Sequence, residues 1–199
     1  MKKFSLILLF LAAGLVTLAQ DFDKNVATAK SSYSSGNLQD SRFAMEQALR
    51  DIDMAIGKEI LKVLPAKLGS LAAVEKEDNV TGSGSYVGLY VNRNYGADPK
   101  RGSIEIINNS PMINSLNAIL SMPVIGGMMR DENQKMVKIQ GYKSILNKQV
   151  NSDTGKTHYE LQIPMNNTLV TLKMDDSNEG EITAAANGIP LAKIVQMAQ

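Results

Sequence analysis

The stretch THYELQIPMNNTLVTLKM, residues 157–174, decides the fold class. From Thr157 to Ile163 the apolar residues recur at every second position, through Tyr159, Leu161 and Ile163. That period is the mark of a strand with one buried face. Pro164-Met165-Asn166-Asn167 turns the chain, because these residue types favour turn backbone. Thr168 to Met174 then alternates again. Leu169, Thr171 and Lys173 take one side, and Val170, Leu172 and Met174 the other. By composition the second set is the buried one.

Strands continue upstream. Lys135 to Ile139 and Lys143 to Val150 read as two more, turned by Gly141, and Asn151 to Gly155 is a polar turn. Further upstream, Tyr86 to Tyr95 alternates, with Val87, Leu89 and Val91 on the apolar side. Asn94 to Gly102 reads as a loop leading to a strand over Ser103 to Ile107, the two strands forming a hairpin. Ser110-Pro111 starts a helix, with Ser as N-cap and Pro at the first helical position. Ile113, Leu116, Asn117 and Leu120 share its face, and it ends near Met122-Pro123. After the last strand, Glu181 to Asn187 reads as a helix, and Leu191 to Met197 as one last turn or two beyond Gly188 and Pro190. Runs of strands without regular helix alternation predict an α+β fold. The expected architecture is an antiparallel sheet of about six strands with helices on one face, preceded by an N-terminal helical hairpin.

The N-terminus carries an address. Met1-Lys2-Lys3 is a short positive region, Phe4 to about Val16 is apolar, and Thr17-Leu18-Ala19 fits a small-x-small cleavage site before Gln20. This is the pattern of a secretory signal peptide. Phe4 to Ala19 is 16 residues, short of the ~20 that span a bilayer. The expected division is therefore 1–19 signal peptide, 20–64 helical hairpin and 65–199 α+β domain, with the mature chain exported to periplasm or exterior and no integral membrane segment after cleavage. The 199-residue chain holds 21 Lys and Arg against 20 Asp and Glu. Loss of Lys2 and Lys3 with the signal turns the net charge to −1, which leaves no general attraction to nucleic acid. There is no Cys, so disulfides, thiolate catalysis and Cys-ligated metals are excluded.

In the hairpin region, Val26, Ala29 and Tyr33 fall on one helical face, and Gly36-Asn37 breaks the run. A second helix is predicted from near Asp40 to Leu64, with Asn37 as N-cap and Asp40 at N3. Gly57 lies inside it as a candidate kink, and Pro65 stops it. Ala29, Tyr33, Gly36, Leu38, Ala48 and Leu49 lie at spacings that resemble one tetratricopeptide unit. The pattern departs at Ser41, where that family prefers alanine, at Met45, where it prefers an aromatic, and at Asp53, where its proline is missing. No second copy follows, and such arrays need about three. The resemblance therefore implies a lone helix pair used for packing, self-association or docking. From Leu64-Pro65 onward, the glycines of 82–88, Arg93-Asn94-Tyr95, Ile104 to Ile107 and Ser110-Pro111 resemble a group of small exported bacterial proteins of unknown function with a PsbP-like α+β layout. That resemblance implies a fold and carries no catalytic signature.

Catalytic constellations are thin. His158 is the only histidine and shares a strand face with Glu160, opposite Tyr159, Leu161 and Ile163. Two ligands fall short of a metal site, so His158 reads as a surface residue. Ser83 between Gly82 and Gly84 lacks the preceding strand and following helix of a nucleophile elbow. Asp175-Asp176 with Glu179, and Glu75, Glu77 and Asp78, are acidic clusters in polar connectors, where solvated charge is the ordinary state. Lys135, Lys138, Lys143 and Lys148 have no interleaved aromatics to support nucleic-acid binding. No cofactor is implied. Of the 11 methionines, five fall between Met112 and Met136. Methionine fills core gaps and also suits adaptable apolar contacts. Met122, Val124, Ile125, Met128 and Met129, in a glycine-containing apolar segment, are the candidate contact for a ligand or partner. The expected function is an exported, non-enzymatic protein that binds a protein, a peptide or a small apolar ligand, with the helical hairpin serving oligomerisation or docking. The alternative is an envelope enzyme whose site assembles only in three dimensions. A pocket with converging acids or His158 would favour the enzyme, and helix stripes left uncovered would favour binding.

Overall fold

A computed structural model describes residues 21–82, 88–121, 133–152 and 154–198. Two helices open it, α1 over residues 21–34 and α2 over Leu38–Val63. A small hairpin of β1 (Lys67–Leu68) and β2 (Leu71–Ala72) follows, then a single 3-10 turn at Glu75–Glu77 and β3 (Asn79–Thr81). The remaining elements are β4 (Tyr90–Ala97), β5 (Lys100–Asn108), α3 (Met112–Ser121), β6 (Gln134–Ile139), β7 (Tyr142–Val150), β8 (Thr157–Met165), β9 (Thr168–Asp175), α4 (Glu179–Asn187) and α5 (Leu191–Ala198). The fold is α+β. Among the described residues the main sheet has seven antiparallel strands in the order β3-β4-β5-β9-β8-β7-β6, and β1-β2 stand apart.

The sheet is larger than the alternation predicts. Strands of two or three residues, such as β1, β2 and β3, are too short to show a period, so 67–79 reads as a surface crossing in sequence. The expected loop over 94–102 is also corrected. Its residues continue β4 to Ala97 and begin β5 at Lys100, leaving only Asp98 and Pro99 between the strands. Pro164, expected in a turn, belongs to β8 and pairs with Leu169. The β7 ladder on the other side of β8 ends at Gln162, so the missing proline N–H breaks no ladder bond there. The turn itself shrinks to Asn166 and Asn167, with Asn166 at φ 52°. Gln140 and Gly141, at φ 47° and 93°, turn β6 into β7 with the handedness that suits twisted strands.

One face of the sheet carries the main core. Val91, Ile104, Ile106, Leu161, Ile163, Val170, Leu172 and Met174 point into it. Ile60 of α2 and Leu64 just after it, Ile182 and Ala186 of α4, and Leu191, Ile194 and Ala198 of α5 close it. The C-terminal part of α2 thus shares a core with the sheet. Helix α2 runs through Gly57 as continuous α-helix. A Cβ at Gly57 would collide with Val80 Cγ1 and come within 2.9 Å of Leu89 Cδ1, so the glycine serves close helix–sheet approach. Helix α3 packs on the opposite face, where Ile113, Leu116 and Leu120 meet Ile145 and Leu169. Ser110 Oγ accepts from the Met112 N–H at 3.3 Å at its start. Because both faces are covered around β9, Leu169 and Thr171 are buried together with Val170 and Leu172. Asn117, expected on the buried face of α3, is exposed.

Candidate functional site

The helical hairpin offers the first candidate. Its seam is made of small residues, Ala29 from α1 and Ala44 and Ala48 from α2, all buried. Ser41 Oγ donates to the Ala29 carbonyl at 2.8 Å, and Asn25 Nδ2 donates to Asp51 Oδ2 at 2.8 Å across the seam. Asn37 caps α2 as expected, its side-chain oxygen accepting from the Asp40 N–H at 3.2 Å. With alanines in the seam, the large apolar residues fall outside it. Val26, Tyr33, Leu38, Met45, Leu49 and Ile52 remain 37–69% exposed. The spacing of Leu38, Met45, Leu49 and Ile52 puts them on one stripe of α2, which runs toward the half-buried Ile56. Around the seam, the same helical period places Val26 and Tyr33 on the matching flank of α1. Phe43 is exposed on another side of α2.

The second candidate is polar. Where α3 does not cover the sheet, β4, β5, β9 and β8 present Asn94, Ser103, Lys173, Asp175 and His158 to a cleft of about 400 Å³, with Lys76 and Arg101 among its further lining residues. His158 Nδ1 lies 2.6 Å from Asp175 Oδ1. Lys173 Nζ donates to Glu105 at 2.9 Å, and Gln162 donates to Glu160 at 2.7 Å. Burial pulls the Lys173 pKa down, but the hydrogen bond and charge of Glu105 outweigh it, with Glu160 and Tyr90 adding, so the ammonium is held above its ordinary value. Burial, then Glu105, pushes the Tyr90 phenol up against the opposing charge of Lys173. Neither group is poised as a base at neutral pH. Ser103, Asp175 and His158 have the composition of a hydrolytic triad but the wrong order. β9 lies between β5 and β8, and Ser103 pairs with Lys173 while His158 pairs with Asp175, so a whole strand separates Ser103 from His158, whereas acyl transfer needs the histidine beside the serine.

His158, expected as a surface residue, is part-exposed and meets Asp175 across the strands, one of the acidic residues assigned to a connector. Asp78 is also displaced from its expected solvated state. It receives Arg93 Nε at 2.9 Å and Nη2 at 2.5 Å, with the two side chains only 15% and 8% exposed. Arg93 stands on the core face of β4 beside Tyr95, whose hydroxyl donates to the Pro65 carbonyl at 3.0 Å. The hydrogen bond that Arg93 donates to Asp78 raises the Arg93 pKa against the effect of burial. Burial pushes Tyr95 up to about 12 against the opposing charge of Arg93. This cluster ties the segment before β3 to β4.

A third opening, about 460 Å³, lies between the β1–β2 hairpin and α4, lined by Pro65, Lys67, Met174, Ala184 and Ala185 among others. Among the described residues no cluster of three His, Asp or Glu side chains could hold a metal ion, and no helix is long and apolar enough to cross a membrane. The sequence candidates Met122, Val124, Ile125, Met128 and Met129 lie outside the described residues, as do Ser83 and the expected signal segment. Of the other methionines in that stretch, Met136 packs beneath α3 and Met112 is exposed. Comparison with known proteins finds no matching family model, no matching curated protein and no matching solved structure.

Proposed function

We propose that this chain is an exported, non-enzymatic binding protein that docks through the apolar stripe of its helical hairpin. The observation that carries the reading is the exposure of Tyr33, Leu38, Met45, Leu49 and Ile52 on a helix pair whose seam is closed by small residues and whose α2 start is capped by Asn37. Isolated apolar residues on a surface are ordinary, but a contiguous group of this size marks an interaction site. Met122, Val124, Ile125, Met128 and Met129 remain a second proposed contact. Export is tested by N-terminal sequencing of the secreted form, with Gln20 expected as first residue. Docking is tested by capture from envelope extract with three forms: native, Leu49→Glu, and the double variant Met128→Asp with Met129→Asp. A partner retained by the native chain and lost from Leu49→Glu supports the hairpin. Loss only from the methionine variant moves docking to that segment. Equal recovery from all three removes both.

The polar cleft favours the alternative, an envelope enzyme, because it gathers His158, Asp175, Lys173 and Ser103. The strand between Ser103 and His158 and the protonated Lys173 weigh against acyl transfer and amine catalysis there. If hydrolytic activity is found on ester or amide substrates and is abolished by His158→Ala in a folded protein, the binding reading fails.

A further inference from the structure

We infer that the occupant of the hairpin stripe is a second copy of this chain, docked as a two-fold symmetric pair of α2 helices. This inference rests on the docking role proposed for the hairpin. The spacing is the first reason. Leu38, Met45, Leu49, Ile52 and Ile56 follow intervals of seven, four, three and four, the seam that packs one helix along another at a shallow angle. A helix carrying that seam is complementary to an identical helix related by a two-fold axis.

Area is the second reason. From their exposure, Val26, Tyr33, Leu38, Met45, Leu49 and Ile52 leave open roughly 600 Å². That is the upper end of what a monomer leaves uncovered, about 300–600 Å². It is also about three quarters of the ~800 Å² that each partner contributes to a standard interface. The aliphatic stems of flanking side chains would supply the remainder.

Charge selects against the main competitor, a membrane surface. Residues 21–53 carry four basic side chains, Lys24, Lys30, Arg42 and Arg50, against six acidic ones, Asp21, Asp23, Asp40, Glu46, Asp51 and Asp53. Helices that lie on anionic lipid carry polar faces rich in Lys and Arg. An acidic hairpin with mixed signs bordering an apolar stripe therefore points to a protein face, where the opposite signs leave room for pairing, rather than to anionic lipid.

The experiment is light scattering coupled to gel filtration, with sedimentation equilibrium of the purified protein over a wide concentration range. A dimer is expected, with Leu49→Glu weakening the association at least tenfold while the circular dichroism spectrum is unchanged. Leu49 is half exposed in the protomer, so its replacement leaves the protomer core intact. A second measurement covers a variant that fails to fold. The chain has no cysteine, so Met45→Cys and Leu49→Cys each introduce a single thiol. Oxidation of at least one is expected to give a covalent dimer, since a residue near the two-fold axis meets its own copy within the ~4.4–6.8 Å Cα separation that a disulfide allows. A protein that stays monomeric at every concentration and forms no cross-link overturns the inference. So does a dimer that Leu49→Glu leaves undisturbed. If a monomer still captures an envelope partner through Leu49, the second copy is refuted and the docking role stands.

Discussion

Removing the carboxylate of Asp78 is the sharpest test of how this fold is held. Arg93 sits on the core face of β4, and its guanidinium is bonded through two nitrogens to the two Asp78 oxygens at 2.9 and 2.5 Å. The Arg93 side chain is 8% exposed, so water solvates it poorly once its partner is lost. Asp78→Ala leaves a buried cation unpaired, a change that costs about 3–5 kcal/mol. Against a whole-domain stability of about 5–15 kcal/mol, that is a large fraction. With a urea slope on the order of 2 kcal/mol per molar, the unfolding midpoint falls by roughly 2 M. The assay is equilibrium urea unfolding followed by far-ultraviolet circular dichroism, since the chain has no tryptophan. The double variant Asp78→Ala with Arg93→Met separates the pair from the site. It removes both charges and fills the space with apolar carbon, and it is expected to recover most of the loss. A single variant that costs less than about 1 kcal/mol, the range of exposed pairs, would refute the claim that this ion pair is desolvated. A double variant no better than the single would show that the arginine is not the reason.

Further outcomes follow from the same geometry. Tyr95 stays a neutral phenol in the folded chain up to about pH 12, while in the unfolded chain it ionises near its ordinary value of about 10. Between these values the unfolded state alone loses a proton, so stability is full below about pH 10 and is lost as pH rises toward 12, by about 2–3 kcal/mol in all. Alkaline unfolding curves of Tyr95→Phe are expected to lack that component, and an unchanged alkaline limb would refute the assignment. Thr168 Oγ1 is buried with no hydrogen-bond partner among the described residues, so Thr168→Val is expected to stabilise by about 1 kcal/mol. A loss in thermal or urea midpoint would reveal a partner for that hydroxyl. Gly57→Ala is expected to destabilise by about 1–3 kcal/mol through the collision with Val80 and Leu89, although alanine is favoured in a helix by about 1 kcal/mol. A gain in stability would mean that α2 can ride away from the sheet at little cost.

The sheet was legible wherever a strand was long enough to show its period. β8 and β9 span nine and eight residues, and their alternation is visible without structure. β1, β2 and β3 have two or three residues each, too few for any period, and they owe their conformation to pairing with a neighbour. The His158–Asp175 contact follows from the turn between β8 and β9. A two-residue turn at Asn166-Asn167 pairs Met165 with Thr168, and counting back through the ladder sets His158 opposite Asp175. Treating Pro164 as part of the turn concealed that register.

Alternation, caps and turn residues act over a few neighbours, so the sequence by itself determined the class of the fold, the α2 cap at Asn37, the helix start at Ser110 and the buried face of β9. Other features depend on what lies across the fold. Asp78 and Arg93 are 15 residues apart, and only the β3–β4 pairing brings the carboxylate to the guanidinium. Helix α3 covers the second face of β9, and alternation within one strand cannot report a layer supplied by another element. The same holds for the hairpin. Its apolar stripe was present in the sequence, but a stripe reads alike whether it is buried or open. Only the tertiary structure, by spending alanines on the seam and Ile60 and Leu64 on the sheet, decided that Leu38, Met45, Leu49 and Ile52 would be left facing outward.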